Sequence, residues 1–136
     1  KFYGRKNGGD RMLKVLLVDD EPFIVQGLSA LIDWEKEGFE IVGTAGNGSE
    51  AVEFLKSNPV DLILADIKMP VMNGLEFLKY IRETHLSEAF FVILSGYGDF
   101  TYAKEAIKWQ CTDYILKPIQ KASSLHCFKG KTDAAG

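Results

Sequence analysis

Long apolar stretches are missing from this sequence. No run approaches the length of about eighteen residues that a membrane-spanning helix needs. Cysteine is scarce, with two in 136 residues. Cys111 and Cys127 form neither a CxxC pair nor a repeated spacing, which argues against a disulfide framework or a cysteine metal cluster. A reducing compartment follows, and the cytoplasm is the default expectation. Basic residues are not in excess: 16 Lys and Arg stand against 19 Asp and Glu, for a net charge of -3. The chain therefore carries no electrostatic footprint for direct binding of nucleic acid. Its opening stretch, KFYGRKNGGDR, is basic but has no long apolar region behind it, so it does not read as a secretory signal. Histidine is limited to two, and an isolated His85 makes no ligand set.

What is present is an ordinary globular composition, 46% hydrophobic and 26% charged, at a length that suits one domain. Short apolar runs alternate with segments of helical periodicity. Val15–Val18 reads as a first strand, and Ile24, Leu28, Leu31 and Ile32 then line one face of a helix. FEIVGTA (Phe39–Ala45) is a weaker second strand. It precedes a helix capped by Ser49 or Asn47, with Ala51, Phe54 and Leu55 inward and an end near Pro59. DLILAD (Asp61–Asp66) is a third strand, and a third helix carries Leu75, Leu78 and Ile81 behind an Asn73 cap. FFVILS (Phe90–Ser95) is a fourth strand, Ala103, Ala106 and Ile107 line a fourth helix, and DYIL (Asp113–Leu116) is a short fifth strand. The third and fourth strands are apolar throughout, as in parallel sheets covered on both faces. The series predicts a doubly wound α/β domain with a five-stranded parallel sheet and right-handed crossovers.

Both ends depart from this pattern. Residues 1–11, polar and glycine-bearing before Met12, are expected to be a flexible leader or an appended extension. Residues 12–120 form the expected domain. Residues 121–136 are expected to be a poorly structured or truncated tail. Beyond Ile119 only Leu125 and Phe128 offer apolar anchors, so the fifth covering helix is weak or incomplete.

In an open parallel sheet, ligands bind beyond the carboxyl ends of the strands, where the strand order reverses. Strand one delivers Asp19 and Asp20 there, strand three Asp66, strand four Ser95 and strand five Lys117. A pair of like charges about 4 Å apart costs roughly 4 kcal/mol at an effective dielectric near 20. Three converging aspartates thus demand a cation, and Mg²⁺ suits them because it accepts one or two carboxylates and leaves room for a phosphoryl oxygen. Carboxylate, cation, ammonium and hydroxyl together describe phosphoryl transfer onto aspartate.

Over Met12 to about Ile119 the chain resembles the receiver domain of two-component response regulators. LLVDDEP resembles that family's acid pocket and DLILADIKMPVMNG its phosphoacceptor segment, D-x-x-MP-x-M-x-G. VILSG supplies the hydroxyl position, and DYILKP the aromatic and the lysine. The resemblance implies a flavodoxin-like strand order 2-1-3-4-5 and Asp66 as phosphoacceptor. It implies Mg²⁺ (for which Mn²⁺ can substitute) held by Asp19, Asp20, Asp66 and the backbone carbonyl of Lys68. Asp19 would act mostly through water, and Glu21 is read as a helix-start charge, not a ligand. Ser95 and Lys117 would bind the phosphoryl group while Tyr114 rotates with Ser95. The Lys117–Pro118 bond would be cis. Lys68 and Tyr97 would tune the phosphoryl lifetime, giving slow self-dephosphorylation.

The implied partners are a sensor histidine kinase, an output module outside this chain and, on phosphorylation, a second copy. SGYGDFTYAKEAIK also resembles receivers that precede AraC-type DNA-binding modules, so transcription is the expected output. The domain would assist its own phosphotransfer and dephosphorylation without being a metabolic enzyme. Three other readings compete. A flavin carrier would need a donor-rich phosphate loop where Asp19, Asp20 and Glu21 stand. A haloacid-dehalogenase-type phosphohydrolase would need a second acid at Lys68. A degenerate receiver acting as a plain interaction module would not need its chemical positions filled.

Overall fold

The computed structural model describes residues 12–31, 34–95 and 100–116, with side chains over 12–30, 34–94 and 104–112. The elements follow in the order β1 (Leu13–Val18), α1 (Pro22–Leu31), β2 (Phe39–Ala45), α2 (Gly48–Ser57), β3 (Leu62–Asp66), α3 (Gly74–Glu83), β4 (Phe90–Ser95), α4 (Phe100–Lys108) and β5 (Asp113–Leu116). The sheet is parallel at every pairing, in the order β2-β1-β3-β4-β5. Both the expected class and the expected strand order are present. One irregularity interrupts the register: Val15 pairs with Ile41 and Leu16 with Gly43, leaving Val42 as an extra residue in edge strand β2.

Side chains that alternate along the central strands divide the core into two layers. Leu16, Val18, Ile63, Ala65, Phe91 and Ile93 face one way, onto Ala51, Val52 and Leu55 of α2, Phe77, Leu78 and Ile81 of α3, and Ala106 of α4. Val15, Leu17, Leu62, Leu64, Val92 and Leu94 face the other way, onto Leu28 of α1 and onto Trp34 and Phe39. Continuous apolar runs are what a strand buried on both faces requires, and every residue of β3 is buried. Phe77 and Phe91 meet with ring centroids 5.5 Å apart, and full burial of each contributes roughly 2–3 kcal/mol.

Each helix begins where a local device permits it. Pro22 opens α1 with its φ already helical and no N–H to leave unsatisfied. Asn47 caps α2 by accepting from the Glu50 N–H at 2.9 Å. Asn73 caps α3 in a reciprocal box, its side chain accepting from the Glu76 N–H at 2.8 Å while Glu76 accepts from the Asn73 N–H at 2.9 Å. Of the two candidates for the α2 cap, Asn47 is the one used.

Two large side chains beside α1 and α4 take opposite positions. Trp34 seals the core between α1 and β2, buried edge-on against Phe39 with its Nε1–H donating to the Leu28 carbonyl at 3.1 Å. Ile107 does not line the core: it is 73% exposed, because Ala106 takes the inward position and the next residue turns about 100° away. Trp109 packs partly into the first layer, with the Lys79 Nζ 5.6 Å from its ring centroid.

At the amino-terminal end of the strands, Arg82 ties three segments together. Its guanidinium donates to the carbonyls of Ser87 and Ala89, both at 2.9 Å, and of Trp109 and Gln110, both at 3.3 Å. Burial pushes this guanidinium below the ordinary arginine range, from which it remains a cation at any ordinary pH. Among the described residues no helix is long and apolar enough to cross a membrane.

Candidate functional site

After β1 the chain adds β2 on one side, then crosses back to place β3 on the other. That reversal opens a crevice between the carboxyl ends of β1 and β3. Val18 pairs with Ala65, so the next residues, Asp19 and Asp66, stand side by side at its rim. Asp20 joins them: each of Asp19, Asp20 and Asp66 offers a carboxylate oxygen within 4.8 Å of the others. Asp19 and Asp66 are only 5% and 6% exposed, while Asp20 faces solvent.

Sequence explains this gathering locally. Val15–Val18 of β1 and Leu62–Ala65 of β3 are apolar and buried, so the first polar residue after each run is delivered to the rim. The Asp19 N–H donates to the Ala45 carbonyl at 2.9 Å, extending the β1–β2 ladder by one residue. An Asp19 Oδ1 then accepts from the Glu21 N–H at 2.9 Å, which turns the chain into α1. Glu21 itself is exposed and immediately precedes that helix, its carbonyl accepting from the N–H groups of Ile24 and Val25. It stands outside the carboxylate cluster, as expected for a helix-start charge.

At the 4.8 Å limit each ionised pair repels by about 1 kcal/mol at the dielectric of water and roughly 3 kcal/mol at an effective dielectric of 20. The donor set is all oxygen, and two oxygens on one octahedral Mg²⁺ stand about 3–4 Å apart. These carboxylates are within a rotamer adjustment of that spacing. The residues present therefore fit a small hard divalent cation.

The β3–α3 loop that follows Asp66 is pinned at several points. The Ile67 N–H donates to the Leu94 carbonyl at 3.2 Å, the Gly74 N–H to the Ile67 carbonyl at 2.9 Å, and the Met72 N–H to the Pro70 carbonyl at 2.7 Å. Met69 and Met72 pack against the first core layer. Val71 completes the turn with φ at +68° and an 82% exposed side chain, a left-handed conformation that a β-branched residue adopts only under constraint. The exposed Lys68 lies in this loop, two residues after Asp66.

β4 brings the backbone of Ser95 to the same end of the sheet, one position past Leu94, which pairs with Asp66. β5 places Tyr114 opposite Ile93 and Leu116 opposite Ser95. The side chains of Ser95 and Tyr114 lie outside the description, as do Tyr97, Lys117 and Pro118 altogether, together with residues 1–11 and the region of the expected fifth helix. His85 is exposed, 3.6 Å from Glu88 and far in the chain from these acids. The partly buried Cys111 donates to the Phe91 carbonyl at 3.5 Å. Residue types alone did not reveal the contributions of Gly48 and Val71 to the loop. The signal available for Gly48 was the repeated N-G-x-E string, NGSE at 47–50 and NGLE at 73–76.

With this geometry in place, likeness to known proteins is informative. The family model "Response regulator receiver domain" matches residues 15–127. The "Uncharacterized transcriptional regulatory protein YesN" of Bacillus subtilis is 43% identical over 110 residues, covering 81% of this chain and 30% of its own length. The chain spans less than half the length of the curated relatives it matches. Among solved structures, the REC domain of AraT, a response regulator from Geobacillus stearothermophilus, superposes with a TM-score of 0.80 at 37% identity, covering 91% of this chain and 95% of that one. The CheX-CheY-BeF3-Mg+2 complex from Borrelia burgdorferi gives a TM-score of 0.81 at 30% identity, covering 96% and 97%. The chain belongs to the response regulator receiver domain family of two-component signalling.

Proposed function

We propose that this domain is a phosphorylation-operated switch in which Asp66 accepts a phosphoryl group from a partner histidine kinase. The observation that carries the reading is the convergence of three carboxylates at the β1/β3 switch point, two of them buried. A carboxylate oxygen of Asp66 attacks phosphorus. The bond from phosphorus to the donor's imidazole nitrogen breaks, and the nitrogen keeps the electron pair. Asp19, Asp20, Asp66 and the Lys68 carbonyl would hold Mg²⁺, which supplies neutralisation of charge on the phosphoryl oxygens. That a neighbouring fold is a complex named with BeF3 and Mg+2 supports the choice of ion. Lys117 pairs with one phosphoryl oxygen and the Ser95 hydroxyl donates to another, with Tyr114 following Ser95 inward. Attack of water on the acyl phosphate then restores the carboxylate and releases inorganic phosphate. Lys68 and Tyr97 slow this last step, and the domain turns over no other substrate.

The consequence of modification is a shift in a pre-existing equilibrium of the helix 4 and strand 5 surface. A DNA-binding output module of AraC type, outside this chain, reads it in the cytoplasm, and a second copy of the domain pairs on phosphorylation. The name of the Bacillus relative, a transcriptional regulatory protein, supports this output.

Incubation with acetyl phosphate and Mg²⁺, followed by intact-mass analysis, tests the reading. One phosphoryl addition is expected, absent in Asp66→Asn and removed by hydroxylamine. An unmodified wild-type chain, or an equally modified Asp66→Asn, overturns it.

A further inference from the structure

The two halves of the proposed Mg²⁺ seat come from different strands, and one short turn touches Asp19 of the first and Met72 of the loop that carries Lys68 of the second. The turn from Ala45 to Gly48 joins β2 to α2. At its start the Ala45 carbonyl accepts from the Asp19 N–H at 2.9 Å, and at its end the Gly48 N–H donates to the Met72 carbonyl at 2.9 Å. The turn is itself held rigid: Asn47 caps α2, and the Glu50 side chain accepts from the Gly46 N–H at 2.8 Å.

Gly48 is buried against the β3–α3 loop. A Cβ added there would lie 2.7 Å from the Met72 Cγ and 2.9 Å from both the Met72 Sδ and the Met72 carbonyl oxygen. Two of these atoms can move with a flexible side chain, but the third is backbone of the loop that carries Lys68. Nothing about the conformation of Gly48 itself demands glycine, since its φ is not left-handed. What demands it is the closeness of Met72. By contrast, a Cβ at Gly46 would meet only the flexible carboxylate of Glu50, at 3.3 Å.

We infer that Gly48 is a positioning residue for metal binding: it sets the distance between the Asp19/Asp20 half of the seat and the Asp66/Lys68 half by holding Met72. The inference rests on the proposed Mg²⁺ site. It separates Gly48 from an ordinary helix residue, because alanine for glycine at a helix position normally stabilises the helix. Here it drives the loop outward and the two halves of the seat apart.

Calorimetric titration of the unphosphorylated domain with MgCl₂ tests this without relying on phosphotransfer. For Gly48→Ala the dissociation constant for Mg²⁺ is expected to rise about tenfold, in keeping with the 10–100-fold losses seen when groups that orient metal ligands are removed. Gly46→Ala should bind as the wild type does. In the acetyl phosphate reaction Gly48→Ala should raise the Mg²⁺ concentration at half-maximal rate and leave the rate at saturating Mg²⁺ unchanged. Adding Met72→Ala to Gly48→Ala should recover part of the affinity, since it removes two of the three clashing atoms. An unchanged Mg²⁺ constant in folded Gly48→Ala overturns the inference, as does a lowered saturated rate with unchanged half-saturation. Where Gly48→Ala does not fold, Met72→Ala alone removes the packing over Gly48 and should weaken Mg²⁺ in the same direction; a wild-type constant there is fatal. A wild-type domain that binds Mg²⁺ but takes no phosphoryl group sinks the acceptor role of Asp66 and leaves this inference standing. A wild-type domain that binds no Mg²⁺ ends it.

Discussion

Gly74 and Asp66 are in backbone contact: a Cβ on Gly74 would overlap the carbonyl oxygen of Asp66. The amino terminus of α3 therefore seats directly on the end of the strand that carries Asp66. Gly74→Ala cannot be absorbed by a side-chain rotation, because the obstructing atom is main chain. Overpacking of this kind costs about 1–3 kcal/mol, and a urea unfolding curve should show a loss in that range. The same variant should accept phosphoryl groups more slowly, since Asp66 is displaced with its carbonyl.

The carboxylate cluster makes an opposite pair of predictions for stability and binding. Asp20 is the exposed member, so Asp20→Asn removes repulsion without leaving a buried polar group unsatisfied. In EDTA the variant should be more stable than the wild type by about 2 kcal/mol, the water-like value for the two pairs that Asp20 makes with Asp19 and Asp66. In millimolar Mg²⁺ the order should reverse, because a ligand stabilises the folded state by RT ln(1 + [L]/Kd), which is larger for the tighter binder. Thermal melts of both proteins with and without Mg²⁺ check the crossing.

Arg82 satisfies four main-chain carbonyls with one planar group. A lysine at this position keeps the charge but lacks the fork that reaches all four. Arg82→Lys should destabilise by roughly 2–3 kcal/mol, the range for charged hydrogen bonds lost and carbonyls left bare. Chemical denaturation reports it, and no pH between 5 and 9 should restore the loss, since the guanidinium does not titrate there.

Caps separate helix stability from site chemistry. Asn73→Ala breaks a reciprocal box beside the β3–α3 loop, and Asn47→Ala breaks the single Asn47–Glu50 bond. Each should cost about 1 kcal/mol. Hydrogen exchange should show the first turn of α3 opening in one variant and that of α2 in the other.

Much of the fold was legible because its signals are physical and local. β3 and β4 are apolar without alternation, which only a doubly covered strand tolerates, and Asn73 with Glu76 announces a helix start. The carboxylates were legible for the same reason, since Asp19 and Asp66 are the first polar residues after buried runs. Ile107 was misplaced because a short helix offers two adjacent apolar residues, and periodicity alone does not say which of Ala106 and Ile107 faces in. The roles of Gly48 and Val71 were not reached by that reasoning. The N-G-x-E string marks Gly48 as a helix start but not its closeness to Met72, a relation between distant parts of the chain, and nothing in the residue type of Val71 announces its positive φ.

The Arg82 tether has a mechanical meaning. It grips the carbonyls just beyond α4, at the end of the sheet away from the acids, and so fastens the carboxyl end of that helix to the last turn of α3 and to the approach to β4. Any displacement of α4 that carries Trp109 and Gln110 away from Arg82 would break both of these bonds.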